Sequence, residues 1–192
     1  MENRTVDRRV RRTKLQLRRA LLQLLETREL RDISVMELAK LTDINRGTFY
    51  LHYKDVFDLY EQMESEIFDD LMAIVGKYSS QSLPSVLCDL LLDLFDFFSA
   101  NSDLCMRLLR TGDAAFINKV LDCMKPTYKK DWRLLFGNLD EELYEYYYAF
   151  ISAGCLGTLR SWFYGGMKES PADMAAMTAN IMLGFHNNKS AV

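Results

Sequence analysis

Residues 33–53, "ISVMELAKLTDINRGTFYLHY", place two short helices on either side of a tight turn. Few folds accept that. Ser34 and Glu37 form S-x-x-E, the capping box, in which the hydroxyl and the carboxylate each satisfy an orphan backbone N–H. Ile33 and Leu38 occupy the flanking staple positions. A helix therefore starts at Val35, with Leu38, Ala39 and Leu41 facing inward. Thr42-Asp43-Ile44 makes the turn, and aspartate tolerates the left-handed backbone that such a turn needs. Asn45 is a good N-cap for a second helix from Arg46 to about Tyr53.

That second helix has little apolar surface to bury. Ile44 and Phe49 are its anchors, with Tyr53 a third candidate, and most of the rest is polar. Two short helices joined by a turn of this length form a helix-turn-helix, whose second helix enters the DNA major groove. The chemistry fits: a small residue, Gly47, where backbone nears the duplex, and donors for bases and phosphates around it. The candidate DNA-binding set is Ser34, Asn45, Arg46, Gly47, Thr48, Tyr50, His52, Tyr53 and Lys54.

Charge supports the same assignment. Residues 1–54 carry 13 Lys/Arg against 7 Asp/Glu, while the remainder carries 11 against 20. A basic head on an acidic body suits a head that meets a polyanion. Arg8, Arg9, Arg11, Arg12 and Lys14 cluster near the start of a first helix expected from about Arg8 to Arg28. Cations there oppose the helix dipole, and a phosphate partner explains the choice.

Residues from about Arg8 to Leu71 resemble the N-terminal domain of the TetR family of transcriptional regulators. Ile33, Leu38, Ala39, Ile44, Gly47 and Thr48 sit where the family pattern predicts, as do Phe49, Tyr50, His52, Tyr53 and Leu59. Asp43 stands where the family has a turn glycine, Asn45 where it has Ser or Thr, and Val56 where it has a lysine near a phosphate; Lys54 can substitute for that lysine. The resemblance implies a homodimer on a palindromic double-stranded DNA operator, usually a repressor, with an effector pocket in the C-terminal domain.

The expected fold is all-α, with about nine helices. Residues 1–54 form the DNA-binding domain, with the helix-turn-helix at about 33–53. Residues 55–192 form the effector-binding and dimerisation domain, with 55–76 as the connecting helix, capped by Asp55. "SSQSLP" reads as a linker. Residues 84–99, "PSVLCDLLLDLFDFFS", are apolar nearly all round and read as a central buried helix with Asp89, Asp93 and Asp96 at its edge. Helices follow at 103–110, 113–125 and 127–136, the last two separated by Pro126. A long helix runs from Asp140 to Tyr164 and closes at Gly165-Gly166. Ser170-Pro171 opens the final helix.

Small residues recur on the last two helices: Ala149, Ala153 and Gly157, then Ala172, Ala175, Ala176 and Ala179. Under the resemblance they make a four-helix dimer interface; packing within one chain is the alternative. Candidate lining residues for a pocket holding a small, largely apolar effector are Phe95, Tyr147, Phe150 and Trp162, with Trp132 a further aromatic. A cavity of at least about 300 Å³ is expected for such a ligand.

Composition narrows the remaining classes. Hydrophobic residues make up 49% and charged residues 27%, as in a soluble globular protein. No apolar run approaches a membrane span and no signal sequence precedes the basic head, so a cytoplasmic protein without membrane partners is expected. Cys88, Cys105, Cys123 and Cys155 are spaced too widely for a metal or redox motif and read as reduced core thiols. With 2 histidines and no nucleophile, phosphate-loop or metalloprotease motif, no catalytic residue, metal or cofactor is expected. The competing class is a ligand-binding or interaction protein on the same helical fold without sequence-specific DNA binding.

Overall fold

The computed structural model describes residues 2–110, 114–136 and 141–187. Among them are nine α-helices and a short 3-10 turn, and no strand. Contacts divide the chain into two compact units, Met1–Ile67 and Phe68–Val192.

The first unit holds α1 (Glu2–Leu25), the 3-10 turn Leu30–Asp32, α2 (Val35–Leu41), α3 (Arg46–Tyr50) and the start of α4 (Val56–Tyr78). Leu17, Leu21 and Leu25 of α1 meet Leu38 of α2, Phe49 of α3 and Leu59 of α4 in its core, each at most 2% exposed. The first unit runs to Ile67, past the Lys54/Asp55 junction expected from the sequence. The reason is packing: Val56, Leu59 and Met63 are buried in the first unit, and Arg18 of α1 pairs with Glu66 of α4.

The second unit holds the rest of α4, α5 (Leu83–Ala100), α6 (Ser102–Arg110), α7 (Ala114–Phe136), α8 (Glu141–Tyr164) and α9 (Pro171–Asn187). The central helix is α5, packed most extensively against α9. It buries Val86, Leu87, Leu90, Leu91, Leu94 and Phe95. Asp89 and Asp96 are exposed, and Asp93 accepts from Lys77 Nζ at 2.6 Å and Tyr78 OH at 2.8 Å.

Two helix ends show how turns are made. Past α2, the Ile44 N–H donates to Ala39 O at 3.0 Å and the Asp43 N–H to Lys40 O at 3.4 Å, with Asp43 at φ +52. Past α8, Met167 N–H donates to Trp162 O at 2.9 Å and Gly166 N–H to Phe163 O at 3.0 Å, with Gly166 at φ +82. Both are Schellman motifs. The first leaves aspartate where glycine is the usual solution.

Several expectations are corrected. α1 begins at Glu2 and ends at Leu25, and α3 ends at Tyr50 rather than near Tyr53. Leu41 is 52% exposed, not core. Cys88 and Cys123 are exposed, whereas Cys105 is buried. Pro126 lies inside a continuous α7 and separates nothing. A proline removes an intrahelical bond; beside it, Tyr148 OH donates to Leu121 O at 2.7 Å and Tyr144 OH to Lys125 O at 3.1 Å, tying α7 to α8 on the N-terminal side of the proline. The Trp132 side chain lies outside the described residues.

Candidate nucleic-acid interface and effector cavity

The interface is built from behind. Phe49 is fully buried and Tyr53 2% exposed; their rings lie 5.7 Å apart between centroids, and Lys14 Nζ of α1 sits 5.6 Å from the Tyr53 ring centroid. These side chains fix α3 to the three-helix head. At the front of α2, Ser34 Oγ accepts from Glu37 N–H at 3.3 Å and Ser34 N–H donates to Glu37 Oε2 at 2.9 Å. Arg28 Nη1 adds a 2.6 Å ion pair to Glu37 Oε1. That guanidinium bond, with the two from Ser34, holds the Glu37 carboxyl down at about 2.

At α3, Asn45 Oδ1 accepts from Gly47 N–H at 2.8 Å. With Phe49 inward, Arg46, Gly47, Tyr50, Leu51 and Lys54 are exposed, and Thr48 and His52 are half-buried. Arg46 Nη2 lies 3.5 Å from Tyr50 OH, one turn on. A Cβ on Gly47 would meet nothing nearer than Asn45 Oδ1 at 3.4 Å. Neither internal packing nor backbone conformation demands a glycine there. The result is a donor-rich surface with bare backbone near its middle, which can approach phosphates and base edges.

The second unit holds a partly open cavity of about 190 Å³. Its walls are Leu87, Leu90, Leu91, Leu94 and Phe95 of α5, with Leu71 and Val75 of α4, Leu121 and Met124 of α7, Tyr148, Ser152 and Cys155 of α8, and Met182 of α9. Among the described residues, none that lines it is charged. The few polar groups are committed: Tyr148 OH donates to Leu121 O, and Ser152 Oγ to Ala149 O at 3.2 Å. Burial pushes the Tyr148 phenol up and the Cys155 thiol up to about 11.

A third surface is apolar and open. Along α8, Leu143, Tyr146, Phe150 and Tyr164 are exposed by 43%, 73%, 64% and 66%, and Ala153 and Gly157 continue the same stripe. Met177 and Ile181 of α9 are also exposed, with Ala172, Ala176 and Gly184. A Cβ added at Gly154, Gly157 or Gly184 would meet nothing within 4 Å.

The family model for the C-terminal region of TetR-type transcriptional regulators matches residues 87–184, just over half of the chain. The chain belongs to the TetR family. The TetR-family assignment also accounts for the head. A helix-turn-helix regulator of Bacillus subtilis (strain 168), YxbF, is 34% identical over 62 residues, 32% of this chain. Those residues span 15% of that relative, far less than two thirds of its length. Among solved structures, the fatty acid degradation regulator FadR of Bacillus halodurans aligns over 90% of this chain and 95% of its own, at TM-score 0.64 and 18% identity. Thermus thermophilus FadR, a TetR-family repressor solved with lauroyl-CoA, aligns over 90% and 94%, at TM-score 0.56 and 16% identity. At these identities the structures share the fold.

The site residues expected from the sequence fall into separate places in this TetR-family chain. Arg46, Gly47, Thr48, Tyr50, His52 and Lys54 gather on or beside α3. Ser34 is exposed but its side chain serves the capping box, and Asn45 is an N-cap. Tyr53 faces inward as a support. Of the four pocket candidates, Phe95 lines the cavity. Trp162 is buried behind it, edge-to-face with Phe95 at 5.4 Å between centroids. Tyr147 is half-buried off the cavity wall, and Phe150 is on the exposed stripe. Tyr148, an aromatic of the same run 144–150 as Tyr147 and Phe150, does line the cavity, and Leu51, 79% exposed at the end of α3, was not anticipated.

Proposed function

We propose that this chain is a homodimeric, cytoplasmic repressor that binds a palindromic operator through α3 and leaves it when a small apolar effector enters the body. It acts without catalysis; the acidic pair Asp69 and Asp70 is a solvated helix face. The observation that carries the DNA reading is the outward surface of α3, where Arg46, Thr48, Tyr50, His52 and Lys54 surround the bare backbone of Gly47. Arg46 suits a guanine edge, and Tyr50 and Lys54 suit phosphates. Residues 1–54, backed by the first turns of α4, make the DNA-binding domain.

The exposed stripe on α8 and α9 supports the dimer. Its glycines and alanines permit close helix approach, while Tyr146 and Phe150 supply the area. Two heads on one duplex face should read half-sites about 34–36 Å apart, or a multiple of it.

The cavity supports a neutral effector. A charge inside it would be desolvated without a partner. Its volume, about 190 Å³, falls below the roughly 300 Å³ of a drug-sized site, so it suits a short alkyl chain or a compact hydrocarbon. The lauroyl-CoA of the Thermus relative has a fatty chain that matches such walls, but none of the described lining residues would meet its anionic head. For release, the ligand must prefer the conformation that fits DNA poorly, and a coupling of about 1–3 kcal/mol would weaken binding roughly 5- to 150-fold.

The test is selection from a random duplex pool, followed by anisotropy titration of the recovered sequence at several salt concentrations. A palindrome should emerge, with affinity falling as salt rises. A pool that enriches no sequence would sink the reading and favour an interaction protein on the same fold.

A further inference from the structure

Leu51 is the most exposed large apolar side chain among the described residues, at 79%. Solitary surface leucines are common; position sets this one apart. The Leu51 N–H donates to Gly47 O at 3.2 Å, so the turn between them is helical and the two residues share a face. Phe49, fully buried, lies about 200° away from each around the helix, which puts Gly47 and Leu51 at the outermost line of α3. Helical side chains lean toward the N-terminus, so Leu51 stands over the one position that has no side chain.

The outermost point of the recognition surface is therefore an aliphatic group beside bare backbone, ringed by Arg46, Thr48, Tyr50 and His52. A leucine there has no use for a phosphate, which offers only anionic oxygen. In the major groove the apolar group that a base pair presents is the C5-methyl of thymine. We propose that Leu51 reads a thymine methyl and so fixes one base of each operator half-site. The proposal rests on the DNA-binding reading above and adds to it a contact made without a hydrogen bond.

The experiment uses the full-length protein and the duplex recovered by selection. Each thymine of the half-site is replaced in turn by deoxyuridine, which keeps every hydrogen-bonding atom and removes only the methyl. At one position per half-site, wild type should bind about fourfold more weakly, the worth of one buried methyl. Leu51→Ala should bind the thymine and uracil duplexes equally, while Leu51→Met should keep the discrimination. Circular dichroism should show both variants folded like wild type, as their exposure implies. Wild type indifferent to every substitution, or Leu51→Ala discriminating as wild type does, would overturn the assignment. Failure to recover any operator defeats the DNA reading itself, and this contact with it; that result is distinct from an operator whose methyls do not matter.

Discussion

The outward faces of α3 and of α8 are both open to water, and their chemistry is opposite. On α3 the exposed set is Arg46, Gly47, Tyr50, Leu51 and Lys54, four of them polar or bare and one aliphatic. On α8 it is Leu143, Tyr146, Phe150 and Tyr164 at helical steps, interleaved with Ala153 and Gly157. A face that meets a hydrated polyanion keeps its donors free and its apolar content small. A face that meets a copy of itself can be apolar, because the copy removes the water. Under the proposed function the two surfaces take different partners, and the contrast can be broken at either end.

The largest effect should come from putting a charge on the apolar face. Phe150→Asp loses an aromatic burial in each protomer and places two carboxylates at the interface, about 3–6 kcal/mol per dimer. Analytical ultracentrifugation at micromolar concentration should show monomer, with an unchanged helical spectrum. A dimer as tight as wild type would remove α8 from the interface. On the other face, Arg46→Ala should cost about 1–3 kcal/mol and relax specificity at one base, while Lys54→Ala should weaken all sequences alike and lower the salt slope by about one unit. Titration of operator and scrambled duplexes separates the two, and an Arg46→Ala protein that binds both as wild type does would take base reading away from Arg46.

A further variant addresses the cavity of the second unit. Ser152→Leu adds carbon to the cavity and should raise the stability of the ligand-free protein by about 1–2 kcal/mol, read as a higher midpoint in urea. It should also abolish any effector response. A lower midpoint would mean that the space is not available to an added side chain. The smallest effect is expected at the turn that aims α3. Asp43→Gly relieves a left-handed aspartate and should stabilise the head by at most about 1 kcal/mol, without changing operator choice. A loss of stability would show that the aspartate side chain matters more than its strain.

The parts of this fold that were legible in the sequence are those whose causes are local. The Ser34–Glu37 box needs residues three apart, and the structure forms both of its bonds. Asp43 was readable as left-handed, and Ser170-Pro171 as a helix start, for the same reason. Leu41 and Pro126 were not legible, because distant residues decide them: no described residue covers Leu41 at the end of α2, and two tyrosine hydroxyls hold α7 beside its proline. The run "YEYYYAF" gives aromatics on every side of α8, so no periodicity could say that Tyr148 faces the cavity and Phe150 the solvent. Tyr53 was ambiguous because a helix of five residues is too short to define a face. The apolar run of α5 was readable as the centre of the body, but the volume left beside it depends on how five helices close around it.

The cysteine in the cavity wall also bears on how the chain withstands oxidants. With burial pushing its thiol up to about 11, Cys155 stays protonated at neutral pH, and the thiolate is the form that peroxides and alkylating agents attack. Cys105, pushed up to about 12, is protected further. Cys88 and Cys123 lie open on the surface. Damage should therefore be taken first by the two outer thiols, leaving the cavity wall chemically unchanged while the exterior ages.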